Sequence, residues 1–298
     1  MRKNGTVCLL AMVCCFLWGS AFPSIKAGYR LFQIASTDTA SQILFAGCRF
    51  TLAGIMVILV GSVIQGSFLR PSKEAIPKIG KVCLFQTVIQ YFFFYVGLAH
   101  TTGVKGSIVE ASNVFLAIVI SSLAFKQERL EGKKVIGCLI GFAGVVLINL
   151  NGGSIDGFNF FGDGFIFISA IAYALSSVMI KKYSQSENPV MISGYQFAAG
   201  GFVMILAGAF AGGRFGAFDP ACAGILLYMA FISAAAYTLW GILLKYNPVS
   251  KVSIFGFMNP VFGVILSALI LGEGSAFGVR GVAALILVCA GIFIVNKE

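Results

Sequence analysis

The sequence predicts an all-α polytopic membrane protein of about ten transmembrane helices, built as two inverted five-helix repeats. Three observations predict it. Of 298 residues, 58% are hydrophobic and only 11% are charged, where soluble domains carry roughly a quarter charged residues. Apolar runs long enough to cross a bilayer, roughly 20 residues each, recur along the whole chain. The chain is also written twice: Lys105-Gly106-Ser107-Ile108, followed by Asn113, returns 146 positions later as Lys251-Val252-Ser253-Ile254, followed by Asn259. Arg49-Phe50 is echoed by Gln196-Phe197, Trp18 and Lys26 by Tyr173 and Lys181, and Val146-Leu147-Ile148-Asn149 by Phe293-Ile294-Val295-Asn296. Two related membrane halves place a binding site between them.

The expected spans are 8–28, 39–63, 80–99, 103–125, 133–150, 162–182, 190–211, 222–245, 250–271 and 277–296. The first follows Arg2 and Lys3 but runs through Trp18 to Pro23 without a cleavage site, so it reads as retained rather than as a signal peptide. Glycines at 137, 141 and 144 in the fifth span, and at 200, 201, 208 and 212 in and just after the seventh, suit close helix packing in lipid. The turn-rich stretch Asn151-Gly152-Gly153-Ser154-Ile155-Asp156-Gly157 divides a first repeat, 1–151, from a second, 157–298. Five helices per half is an odd number, which sets the second half upside down relative to the first. Asn188-Pro189 and Asp219-Pro220 mark the starts of the seventh and eighth helices, an N-cap side chain followed by proline at the first helical position. Pro23 and Pro260 fall inside spans, while their repeat counterparts Val178 and Val114 are not prolines. Either the two kinks give the halves different shapes, or they are ordinary helix bends.

The formal charge of +10 is a topology signal. Basic residues gather on alternate connections: Arg70, Lys73, Lys78 and Lys81; Lys126, Arg129, Lys133 and Lys134; Lys181 and Lys182; Lys245 and Lys251. With the positive side inside, both termini are expected in the cytoplasm. Nucleic acid is not an expected partner. The eight cysteines all lie within expected helices and form no Cys-x-x-Cys, so they suit neither a disulfide framework nor a metal site. No cofactor or metal is expected.

Chemistry concentrates on a few polar residues within the spans. On the fourth helix Ser107, Glu110, Asn113, Ala117 and Ser121 stay within about 120° of arc at about 100° per residue. Ser253, Gly256, Asn259, Gly263 and Ser267 repeat that stripe on the ninth. Such a stripe faces either a pathway or a partner helix. Glu110 alone breaks the match, facing Gly256 in its twin. It lies roughly a third of the way in from the outer surface at ~1.5 Å per residue, where an acid costs about 2.5–3.5 kcal/mol to insert. It would pair with a substrate amine or exchange a proton; the structural alternative is an ion pair with Arg49, whose twin is Gln196. Gln86 and Gln90, four residues apart on the third helix beside Tyr91, Phe94 and Tyr95, suit a polar organic molecule or packing hydrogen bonds. No catalytic set is assigned.

Trp18-Gly19-Ser20-Ala21-Phe22 with Lys26 resembles the first-helix signature of the EamA family, the ten-helix branch of the drug/metabolite transporter superfamily. Asn259-Pro260-Val261-Phe262 running to Leu271-Gly272-Glu273 resembles its ninth-helix signature. The first repeat departs from it, with Lys126-Gln127-Glu128 where Gly-Glu is expected and Val114 where the proline would sit. The resemblance covers the whole chain and implies an inner-membrane carrier, usually an exporter of amino acids, other small metabolites or drugs. It also implies a central cavity lined by helices 1, 3, 4, 6, 8 and 9, which adds Trp18, Tyr173, Tyr237 and Trp240 to the candidate binding residues, with packing as their alternative role. An enzyme would need a nucleophile with its base, paired intramembrane aspartates or metal ligands; the chain has one histidine and no Asp deep in a span. A channel or structural subunit is the other class, and sugar phosphates or nucleotide sugars are the rival substrates. One deep acid and one deep base favour an amino acid or amine-bearing metabolite instead. The expected partners are a small-molecule substrate and the lipid bilayer, with a coupling proton or ion and a homo-oligomer left open.

Overall fold

The structure, a computed structural model, describes residues 3–101, 103–149, 157–216, 218–271 and 279–297. Ten helical stretches run through them. They are α1 (Asn4–Leu31), α2 (Thr39–Gln65), α3 (Ala75–Leu98), α4 (Gly103–Val119, continued by a π-turn Ile120–Ala124), α5 (Gly132–Asn149), α6 (Phe160–Tyr183), α7 (Pro189–Phe210), α8 (Pro220–Tyr246), α9 (249–271) and α10 (Val279–Asn296). Six of them, α1, α2, α3, α6, α7 and α8, are long and apolar enough to cross a membrane by length and composition. Val63, Phe210 and Ile286 point outward, as lipid-facing side chains do.

Local chemistry sets the helix starts. The Asp38 carboxylate accepts from Ser41 N at α2, Asn188 from Val190 N at α7, and Asp219 from Cys222 N at α8. Pro189 and Pro220 occupy first-turn positions, where the missing N–H costs nothing. The boundary stretch 151–156, the Gly272-Glu273 pair, and the side chains of Lys105, Ser107, Ser267 and Arg280 lie outside the described residues.

The inversion of the two halves is legible in how twin helices touch. Along α2, a Cβ at Gly47 would meet Gly201 O and Ile205 N, and one at Gly54 would meet Gly194 O and Ala198 N. Residue numbers rise along α2 as they fall along α7, so these twins are antiparallel. The same holds for α5 and α10, where Gly137 faces Gly291 and Val295 while Gly144 faces Ala284 and Val288. Glycine permits the approach, because a methyl at either contact would sit within 3 Å of a neighbour's backbone. Phe50 and Phe197, also twins, stack at 5.3 Å and 10° between planes. Tyr91 and Tyr237, 146 positions apart, join hydroxyls at 2.5 Å. Twins that touch lie on the pseudo-two-fold axis, and these mark its course.

The remaining helices form two bundles. In one, α4 and α3 pack on α6; in the other, α9 and α8 pack on α1. The inverted repeat relates the bundles, since α1 corresponds to α6, α4 to α9 and α3 to α8. A site between the halves is a site between these bundles.

Candidate functional site

A cavity of about 440 Å³ separates the two bundles at one end of the molecule. Its mouth carries Lys26, Ser36, Gln42, Leu98 and Ala99, at the C-terminal ends of α1 and α3 and the start of α2. Deeper, the walls are aromatic: Trp18, Tyr29, Tyr91, Phe94, Tyr95, Tyr173 and Tyr237. Its floor is the Tyr91–Tyr237 hydroxyl pair and Trp18, which packs edge-on against Tyr237 at 4.9 Å and Trp240 at 5.0 Å.

Three buried oxygens on this cavity close no hydrogen bond among the described residues: Glu110 Oε2, Gln90 Oε1 and Asn259 Oδ1, although the Ser169 hydroxyl and the Asn113 side chain stand close to the Glu110 carboxyl. All three accept. The indole Nε1 of Trp18 is the unpartnered donor beside them. Buried polar atoms are nearly always satisfied in native folds, so unmet acceptors facing one cavity from both bundles leave it open to a ligand's donors. Asn113 also lines the cavity, but its amide is committed to the carbonyl of Glu110 at 2.7 Å.

Arg49 reaches the cavity from α2, yet no ion pair joins it to Glu110 among the described residues. Its Nε donates to Ser233 Oγ at 2.8 Å, and its guanidinium lies over the Phe50 ring at 5.1 Å. The twin contact joins the corresponding helices with donor and acceptor exchanged: Gln196 Oε1 accepts from Thr87 Oγ1 at 2.6 Å, tying α7 to α3 as Arg49 ties α2 to α8. The repeat thus wants a polar side chain here as an interhelical tie, and the first half fills the position with a cation whose other nitrogens remain for the cavity.

Of the sequence candidates, Glu110, Asn113, Asn259, Gln90, Trp18, Tyr173 and Tyr237 come together on one cavity. Gln86 does not. A π-helical stretch, Cys83–Ile89, interrupts α3, and its wider turn rotates Gln86 away from the face of Gln90. Gln86 instead accepts from Gln196 Nε2 at 3.0 Å and donates to Ser176 Oγ at 3.4 Å. Trp240 and Ser253 lie below the floor, fully enclosed where the bundles meet, with Trp240 Nε1 and Ser253 Oγ unpartnered. Ser107 has no described side chain. Tyr29 and Gln42 line the cavity without having been singled out in the sequence; both sit near helix ends, where no polar stripe is long enough to read.

Among the described residues no group of three or more His, Cys, Asp or Glu side chains is placed to hold a metal. What the site offers is an acid, a base and aromatic faces in a space the size of a small organic molecule.

Comparison with known proteins agrees with this architecture. The uncharacterized transporter YetK of Bacillus subtilis is 30% identical over 84% of this chain and 77% of its own length. An uncharacterized transporter of Archaeoglobus fulgidus is 25% identical over 97% of this chain and 98% of its own. The uncharacterized inner membrane transporter YedA of Escherichia coli is 27% identical over 86% and 80%. A solved crystal structure shares the fold, with a TM-score of 0.78 over 99% of this chain and 98% of the other at 17% identity. The EamA-like transporter family matches twice, at residues 5–150 and again at 160–297. With the repeat, the antiparallel twin helices and the central cavity already in view, the chain belongs to the EamA-like transporter family.

Proposed function

We propose that the protein is a secondary carrier that moves an amine-bearing small metabolite, an amino acid by preference, by alternating access across a bacterial inner membrane. The observation that carries the substrate class is the set of unpartnered acceptors, Glu110 Oε2, Gln90 Oε1 and Asn259 Oδ1, on one aromatic-walled cavity. An ammonium group brings several N–H donors and a positive charge to such a site, and aromatic faces attract it further. Arg49, on the same cavity, supports a carboxylate at the other end of the ligand. A sugar phosphate would want several cations converging on one spot, and Glu110 would repel it. With no cation bound, Glu110 supports proton exchange as the coupling step.

The basic connections support both termini in the cytoplasm and, with them, a cavity mouth outside. The outward cavity, the family and its usual direction of transport support export. Transport without chemical conversion is the whole of the activity proposed.

The test is the purified chain in liposomes, preceded by a thermal-shift screen of amino acids, amines and sugar phosphates. An amine-bearing zwitterion should raise the melting temperature and drive saturable counterflow. Stabilisation by sugar phosphates alone would overturn the substrate class, and flux without saturation or counterflow would point to a channel.

A further inference from the structure

From the cavity floor to the far end of the molecule the bundles close against each other in three successive contacts. The first is the Tyr91–Tyr237 hydroxyl pair. The second is Val114 against Gly256, where a Cβ on the glycine would stand 3.0 Å from Val114 Cγ2. The third is polar and lies at the far end, where the turn after α4 meets the start of α9. There the Glu128 carboxylate accepts from Ser250 N at 2.9 Å and from Ser250 Oγ, and it also accepts from Ser121 Oγ at 2.7 Å and Lys134 Nζ at 2.9 Å.

The turn is built to aim that side chain. Ile120–Ala124 is a π-turn, and Lys126 then adopts φ 51°, left-handed backbone that a non-glycine residue takes only under local constraint. Gln127 Nε2 anchors the turn on its own bundle by donating to Val178 O of α6 at 3.1 Å. Glu128 crosses instead to the other bundle, where it accepts from Ser250 N, one of the N–H groups that open α9. Its ion pair with Lys134 is nearly enclosed, with side chains 7% and 10% exposed, so solvent screens it weakly.

A second observation bears on the same region independently. Trp240 Nε1 and Ser253 Oγ are buried between the floor and this contact, without partners among the described residues. The cavity above does not reach them. Polar atoms left dry in one state are accounted for if another state wets them.

Resting on the carrier reading, we infer that Glu128 is the latch of the inner gate: its bonds to Ser250 hold the bundles together on the closed side, and their release opens a route lined by Trp240 and Ser253. The ligand's job in the cycle is then to favour closure of the cavity mouth strongly enough to offset this contact.

The test uses thiol labelling of the full chain in nanodiscs, with Cys8 and Cys289, the two exposed native thiols, changed to Ser and residual labelling subtracted. Ser253→Cys reports the closed route and Ala21→Cys, on the cavity, reports the open one. Adding Glu128→Gln should raise labelling at 253 about tenfold and lower it at 21, as loss of one charge-assisted bond favouring the closed state predicts. Ser250→Ala, which keeps every charge, should move both reporters the same way by less, and it carries the test if Glu128→Gln does not fold. Unchanged labelling at 253, or a rise at both reporters together, would make Glu128 a structural tie and overturn the latch. Counterflow in the unlabelled parent protein reads the carrier proposal separately, so intact counterflow with unmoved reporters refutes the latch alone.

Discussion

Arg49 shows how much one residue's repeat partner reveals. Gln196 makes the corresponding interhelical tie in the other half with donor and acceptor exchanged, and an amide carries both groups, so its NH2 suffices to donate to Ser233 Oγ. Arg49→Gln should therefore leave thermal stability without ligand nearly unchanged, within roughly 0.5 kcal/mol. Arg49→Leu should lose about 1.5–3 kcal/mol, the worth of a buried hydrogen bond to a charged group, measured by thermal unfolding in one detergent. Equal destabilisation by both would mean that the charge, not the tie, holds α2 to α8. The sequence paired Arg49 with Gln196 but offered Glu110 as its partner. Depth along two helices is readable from numbering; which neighbour a side chain turns toward is not. Glu110, Asn113 and Asn259 were legible as cavity residues because a polar stripe on an apolar helix survives any rotation of that helix as a whole. Gln86 was not, because a π-turn inside α3 broke the periodicity on which the reading rested.

Elements carry two further predictions. A Cβ at Gly201 would lie 2.3 Å from Thr51 N, backbone that cannot yield unless α2 and α7 separate. At Gly224, on α8, a Cβ meets nothing within 4 Å. Gly224→Ala should be neutral or gain up to ~1 kcal/mol, the ordinary helix preference of alanine. Gly201→Ala should instead lower the yield of folded protein and its melting temperature. If the two behaved alike, the close crossing of the twin helices would be wrong. The glycines announced tight packing in the sequence, but not which faces meet.

The turn after α4 predicts a pH dependence. Burial raises the Glu128 carboxyl, but hydrogen bonds from Lys134, Ser250 and Ser121 outweigh it and hold the group below its ordinary value of 4.5. Those three residues, with the Cys138 thiol nearby, are the groups that interact with it. A carboxyl depressed in the folded state stabilises above its unfolded value, and that contribution fades as pH falls through the folded one. The melting-temperature gap between the parent and Glu128→Gln should be constant near neutrality and narrow as pH drops below about 4.5. A gap that widened in acid would reverse the assigned direction. The sequence marked Lys126-Gln127-Glu128 only as a departure from a motif, since a left-handed turn at lysine has no signature in composition.

At the scale of the whole molecule, helix number, order, caps and inversion were legible because hydropathy, basic loops and an internal repeat report the same architecture independently. The two-bundle arrangement was not, since pairing between helices far apart in sequence depends on side-chain shape. The proposed topology rests on the basic connections. Thr37, beside the mouth-end connection, and Ser72, in the basic connection before α3, are both exposed. With native cysteines replaced, Thr37→Cys should label with impermeant maleimide in whole cells and Ser72→Cys should not; the opposite pair of results would invert the molecule.

The central claim is that Glu110 receives the substrate's amine rather than serving the fold. Its most direct measurement is counterflow by Glu110→Gln in liposomes, normalised to folded protein, using the ligand that stabilises the parent. Because no ion pair joins Glu110 to Arg49, counterflow should fall at least about tenfold, the worth of one charge-assisted contact, while folding and insertion stay intact. Adding Arg49→Gln should not restore it. Recovery of transport in that double variant, or full counterflow by Glu110→Gln alone, would remove Glu110 from the substrate site and contradict the account.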